Sequence, residues 1–117
     1  MAAKRTVINL VKKFATDVKS EGVHLRKIFL FGSYAQNKQH RFSDVDVALV
    51  ADEFQGFAFK DLDLFINVKI KKSYSRIQVQ TFSTAYFNKG DSFIDEIKRT
   101  GIEINPRLKE KKVKKIK

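Results

Sequence analysis

Two pairs of residues, Gly32-Ser33 and Asp44-x-Asp46, have the types and the spacing to do chemistry in this chain. Gly32 and Ser33 directly follow the apolar residues 28–31, and after ten further residues Asp44 and Asp46 alternate with valines. A tight Gly-Ser turn can hold phosphate oxygens on backbone N–H groups and a hydroxyl. Carboxylates at i and i+2 on a strand project from one face and suit a divalent ion such as Mg²⁺. The pattern therefore predicts a phosphate site facing a metal pair, as nucleotidyl transfer requires.

Length and composition favour one small globular domain. The chain has 117 residues, of which 43% are hydrophobic and 32% are charged, so a packed core is expected. It contains no cysteine, which excludes disulfides and thiolate chemistry. Because no apolar run reaches membrane-spanning length and no signal-peptide pattern is present, we expect a cytoplasmic protein without a membrane partner.

Positive charge is concentrated at the carboxyl end of the chain. The formal net charge is +11, and residues 107–117 hold seven basic residues and one acidic residue, so this stretch carries +6 and the rest +5. We expect a catalytic domain at 1–106 and a basic, flexible tail at 107–117. Such a tail is usually a solvated end, although weak contact with nucleic acid or an acidic partner stays open.

The hydrophobic pattern predicts the elements that position the motif. A helix at 4–21 has apolar residues at helical spacing, and a strand at 25–31 should be buried on both faces. A short helix capped by Ser33 is expected next, with Asn37 at a turn where Asn tolerates a left-handed backbone. The second strand is predicted at 43–51.

The second half of the chain predicts further helices and strands. A helix is expected at 57–71, with one apolar side formed by Phe59, Leu62, Phe65, Ile66 and Ile70. An alternating strand at 76–82 and a short helix capped by Ser83 should follow, then a helix at 92–100 and an edge strand at 102–104. Phenylalanines 29, 31, 59 and 65 are expected in the core. This order predicts an α+β fold, a small mixed sheet backed by helices.

The motif and its flanks resemble the minimal nucleotidyltransferases of the DNA polymerase β superfamily. The stretch 29–35 (FLFGSYA) is similar to the first strand and turn of that family, and 43–48 (SDVDVA) to its second strand. The stretch 93–104 is similar to the closing helix and strand, so the resemblance extends to Pro106. It implies the nucleotidyltransferase fold, like that of the polymerase β palm.

The resemblance also implies an activity. Members transfer a nucleoside monophosphate, here AMP by expectation, from ATP or another nucleoside triphosphate to an acceptor and release pyrophosphate. Gly32 and Ser33 would hold the triphosphate. Asp44 and Asp46 would be the catalytic residues and would hold Mg²⁺, with one ion at the α-phosphate and acceptor and another at the leaving group.

The sequence departs from the family pattern at two places. Gln36-Asn37 stands where members often have Arg-Gly, so that Lys38 or Arg41 would have to supply the missing positive charge. The family also has a third carboxylate on the next strand, and the matching position here is Gln78. A neutral amide can accept a hydrogen bond or ligate a metal weakly, but it cannot neutralise a dication or act as a base.

Three functions stay open at this point. The resemblance implies a HEPN-domain protein as partner and acceptor, as in toxin–antitoxin pairs. The replacement at Gln78 favours the alternative of a degenerate member that binds a partner or a nucleotide without transferring anything. The tail favours sequence-independent nucleic-acid binding. Base preference, the acceptor and the oligomeric state, including a homo-oligomer, are left undecided by the sequence.

Overall fold

The computed structural model describes residues 2–40 and 43–105. Its longer elements, in chain order, are α1 (Ala2–Ser20), β1 (Leu25–Phe31), β2 (Val45–Ala51), α2 (Ala58–Asp61), α3 (Ile66–Lys69), β3 (Ile77–Ser83), α4 (Thr84–Lys89), α5 (Ser92–Thr100) and β4 (Ile102–Ile104). Two short 3-10 turns at 62–65 and 72–74 join the segments between β2 and β3. None of the helices in these ranges combines the length and apolar character that crossing a bilayer requires.

The four strands form one mixed sheet in the order β3-β2-β1-β4. β1 pairs antiparallel with both β2 and β4, whereas β2 and β3 are parallel. The predicted α+β fold is confirmed, and β4 is the expected edge strand. β3 forms the opposite edge, so half of its peptide groups face away from β2.

Helices cover both faces of the sheet and enclose two hydrophobic clusters. The larger cluster lies on the α1 side and includes Phe14, Leu30, Leu49 and Phe65. The smaller one lies under α4 and α5 and includes Phe29, Ala48, Val50, Phe82, Phe87, Ile94 and Ile97. Since Leu30 and Phe29 enter different clusters, β1 is buried on both faces, as predicted.

Most predicted elements are confirmed within two residues. β1, α5 and β4 have the expected bounds, and the Ser83 hydroxyl accepts a hydrogen bond from the Tyr86 N–H as the cap of α4. β2 starts at Val45, so Asp44 precedes the strand that contains Asp46. On α5, Ile94 and Ile97 are buried, whereas Phe93 is partly exposed.

The prediction of a short helix after Gly32 is wrong. Residues 32–37 form turns in which the Gly32 carbonyl accepts from the N–H groups of Ala35 at 3.1 Å and Gln36 at 3.2 Å. Asn37 adopts the left-handed conformation, with φ of 60°, as predicted. A left-handed residue cannot continue a right-handed helix, so the chain makes one turn and leaves it.

The prediction of a single helix at 57–71 is also wrong. The segment is α2, a 3-10 turn and α3, and the break lies at Phe65, whose φ of −142° and ψ of 31° are not helical. The break places Phe65 in the core while Phe59 and Ile70 are exposed. The prediction that Phe59 lies in the core is therefore wrong, because the helix is broken and its residues do not form one continuous apolar face. The tail at 107–117 lies outside the described residues.

Candidate active site

Three side chains form a row across one end of the sheet. Phe31 of β1 is paired with Asp46 of β2, and Asp46 is paired with Gln78 of β3. Directly opposed residues on neighbouring strands project from the same face, so these side chains share the face that α4 and α5 cover further along. Gln78 therefore occupies the position beside Asp46 that the sequence comparison assigned to the absent third carboxylate.

Gly32 lies directly against the carboxylate of Asp46. A Cβ atom at Gly32 would overlap Oδ2 of Asp46 and lie 3.1 Å from its Cγ. The φ of Gly32 is 75°, a region that side chains rarely adopt. Both the contact and the backbone conformation require glycine, and together they bring the turn against the second aspartate.

The turn after Gly32 is held at several points. The Ser33 carbonyl accepts from the Lys38 N–H at 2.8 Å, and the Lys4 ammonium of α1 donates to the Ala35 carbonyl at 3.4 Å. The latter contact brings a positive charge from α1 to the turn. Tyr34, which could have faced a nucleotide or the core, is buried in the larger cluster.

The two aspartates differ in their surroundings. Asp44 is exposed, whereas Asp46 is half-buried. Burial raises the pKa of Asp46, and the negative charge of Asp44 raises it further. The two carboxylates are therefore close enough to repel each other, and a cation bound between them would relieve both effects.

Arg76 joins the separate parts of this site. Its guanidinium donates to the Tyr34 hydroxyl at 2.8 Å and to the Ser43 carbonyl, and it lies 5.9 Å from the centre of the Tyr34 ring. Its own carbonyl accepts from the Val45 N–H at 2.9 Å. Arg76 thus links the turn, the start of β2 and the start of β3, and it fixes the backbone on both sides of Asp44.

The family model of polymerase beta nucleotidyltransferases matches residues 12–110, which contain the whole row and the turn. The chain belongs to this nucleotidyltransferase family. A candidate protein adenylyltransferase of Methanocaldococcus jannaschii is 31% identical over 101 residues, which are 84% of this chain and 98% of that protein.

Two solved structures share the fold of this nucleotidyltransferase. A candidate nucleotidyltransferase of Sulfolobus solfataricus superposes with a TM-score of 0.62 at 14% identity, covering 87% of this chain and 82% of that one. A toxin–antitoxin structure with AMP-PNP superposes with a TM-score of 0.54 at 19% identity, covering 87% and 78%. At these identities the likeness shows the fold alone, and it agrees with the mixed sheet predicted from the sequence.

The donor atoms of this nucleotidyltransferase fit a divalent ion. Within the described residues no group of three or more His, Cys, Asp or Glu side chains could hold a metal, so the carboxylates available at the row are Asp44 and Asp46. Two carboxylates balance the charge of one dication, and the Gln78 amide offers a neutral oxygen beside them. The raised pKa of Asp46 indicates a carboxylate whose negative charge is not otherwise compensated.

Sequence analysis missed two residues of the site region. Arg76 was included only as the first residue of a strand, and no local pattern shows that it reaches Tyr34 and Ser43. Asp61 lies within the segment predicted as a helix at 57–71, but it is buried and accepts from Gln55 N–H at 2.9 Å, Gly56 N–H at 3.0 Å and the Thr81 hydroxyl at 2.6 Å. Of the basic residues expected to replace the family arginine, Lys38 is exposed and Arg41 lies outside the described residues.

Proposed function

We propose that this protein is a Mg²⁺-dependent nucleotidyltransferase that moves AMP from ATP to a partner protein. The observation that carries the proposal is the close approach of Gly32 to Asp46, which puts the Gly32-Ser33 turn against the carboxylate of the second aspartate. The likeness to a candidate protein adenylyltransferase supports AMP and a protein acceptor. The toxin–antitoxin neighbour supports a paired protein, and the family resemblance favours a HEPN-domain protein in that place.

The turn and the two aspartates each have a role in this proposal. Gly32 and Ser33 hold the triphosphate through backbone N–H groups and the serine hydroxyl. Asp44 and Asp46 hold Mg²⁺, which when bound polarises the α-phosphate and neutralises the charge of the departing pyrophosphate. The acceptor hydroxyl loses its proton, its oxygen bonds to the α-phosphorus, and the bond from that phosphorus to pyrophosphate breaks. Most of the rate enhancement in such transfers comes from positioning and charge neutralisation.

A second function is favoured by Gln78. Its side chain lies beside Asp46, where a third carboxylate would complete the ligand set, and a neutral amide adds no charge there. The alternative is therefore a member that binds ATP or its partner without transfer.

The test uses ATP labelled on its α-phosphate, Mg²⁺, this protein and a candidate HEPN-domain partner. We expect label on the partner that is lost in Asp44→Ala and kept in Asp63→Ala, a matched change of an exposed aspartate on the 3-10 turn after α2. Gln78→Glu should raise the rate of transfer about tenfold or more, because one added charge that stabilises a transition state changes the rate by at least that factor. An unlabelled partner in an intact complex, with no gain in Gln78→Glu, would establish the binding function instead.

A further inference from the structure

Large apolar side chains are exposed along one short segment of the chain. Seven large hydrophobic residues are exposed in the described ranges, and five of them lie within 57–70. Their exposed fractions are 65% for Phe57, 89% for Phe59, 43% for Leu64, 38% for Ile66 and 70% for Ile70. Single exposed apolar residues are ordinary, but a concentration of them marks an interaction surface.

The same segment forms one wall of a groove. Phe59, Leu62 and Phe65 face Ile77 and Val79 of β3 across a space of about 280 Å³. β3 is an edge strand, so no further strand of the described chain closes the groove on that side. Small-molecule sites usually occupy about 300–1,000 Å³, so this smaller apolar space suits one or two side chains of a protein better than a cofactor.

The charges around the groove select the kind of occupant. Lys69 lines it, Lys60 lies on the same segment, and Lys71 and Lys72 directly follow that segment. The buried carboxylate of Asp61 is engaged by three donors within the protein, which leaves Asp63 as the exposed acid of this segment. A second copy of the chain would bring another net charge of +11 to a basic surface, whereas an acidic partner would complement it.

The groove also borders the strand that contains Gln78. Gln78 lines it and is paired with Asp46 on the neighbouring strand. The apolar β3 residues of the groove, Ile77 and Val79, project from the α1 side of the sheet, whereas Gln78 and Asp46 project from the side of α4 and α5. A protein seated in the groove would therefore lie at the β3 edge, on the opposite face from the aspartates.

We propose that the groove between Phe59 and β3 is the docking site of a partner protein, which inserts apolar side chains flanked by Asp or Glu. That the docked partner is also the acceptor rests on the proposed function; the docking itself does not. The concave shape favours a protein over a flat membrane surface, and the charge of the chain favours a partner over self-association.

The experiment measures fluorescence anisotropy of two labelled peptides of identical Leu, Phe and Glu content, without nucleotide. One has its apolar residues on a single helical face, and the other is scrambled. We expect the facial peptide to bind about tenfold or more tightly than the scrambled one, because an anchored aromatic pocket dominates such interfaces. Phe59→Ser should abolish that difference, and Lys69→Glu should weaken binding while Lys89→Glu, on α4, leaves it unchanged.

Four results would overturn the proposal. These are equal binding of the two peptides, unchanged binding by Phe59→Ser, a dimer that Phe59→Ser dissociates in sedimentation, and flotation on phosphatidylcholine–phosphatidylserine vesicles that depends on Phe59. Phe59 is highly exposed, so its replacement should leave the fold intact, and circular dichroism of the variant checks this. Because no ATP is present, failure of docking and failure of AMP transfer are separate results.

Discussion

Replacing Gly32 by alanine should damage the candidate site more than it damages the fold. The new Cβ would overlap Oδ2 of Asp46 and lie 3.1 Å from its Cγ. Carbon atoms pack best at about 3.5–4.0 Å, so the carboxylate has to move by about 0.5–1 Å. A misplacement of about 1 Å can reduce a catalysed rate about 10²-fold. The positive φ adds a cost of about 1–2 kcal/mol to the folded state.

Gly22 provides the matched control for this change. Its φ is 97°, comparable with the 75° of Gly32, but a Cβ there would meet no atom within 4 Å. Gly22→Ala should therefore lose about 1–2 kcal/mol of stability, the cost of placing one side chain at a left-handed position. It should leave the candidate active site intact. The two variants separate backbone strain from displacement of Asp46.

The assays are urea unfolding for stability, calorimetry for Mg²⁺ binding and label transfer for activity. We expect both variants to unfold at lower urea concentration, and only Gly32→Ala to lose metal binding and about 10²-fold in transfer. If Gly32→Ala binds Mg²⁺ and transfers AMP as Gly22→Ala does, then Gly32 does not position Asp46 and the reasoning is refuted.

Three further changes test the charges and the contacts around the site. Because the pKa of Asp46 is raised on folding, the stability it contributes is full below its unfolded pKa and is lost as pH rises through its folded pKa. Without metal, Asp46→Asn should be more stable than the wild type at neutral pH and equally stable in acid. A difference in unfolding free energy that does not change with pH in urea titrations would contradict this. Arg76→Ala should lose about 1–3 kcal/mol and make the amides of residues 33–38 exchange faster, because its bonds to Tyr34 and Ser43 disappear; unchanged exchange would be the opposing result. Asp61→Ala should lose about 2–4 kcal/mol in urea unfolding because three donors, among them the buried Thr81 hydroxyl, lose their acceptor, and a loss under 1 kcal/mol would show that water replaces the carboxylate.

The local parts of the fold and the site were predictable from the sequence. Gly32, Ser33, Asp44 and Asp46 lie at the ends of two apolar strands, and the two-residue period of a strand fixes which side chains share a face. Gln78 was identified from the resemblance to the family and not from the local pattern, and the structure pairs it with Asp46 in the parallel register of β2 and β3. The placement of the turn and of the two aspartates depends only on residues that are close in sequence.

Contacts between distant residues were not predictable. Arg76 meets Tyr34 across 42 positions of sequence, and Asp61 meets Thr81 across 20 positions. The segment at 57–71 has a helical apolar period, but the break at Phe65 reverses the expected burial of Phe59. Apolar periodicity assumes one unbroken element, so it does not show where a helix breaks or which distant residues meet.

The central claim is that the Gly32 turn and the two aspartates form one site for Mg²⁺ and ATP. Its most direct test is calorimetric titration of ATP into the wild-type protein and into Asp46→Asn, each with and without Mg²⁺. The account predicts that the wild type binds ATP only with Mg²⁺ and that Asp46→Asn loses this dependence and most of the affinity. Equal ATP affinity in both proteins, unaffected by Mg²⁺, would contradict it.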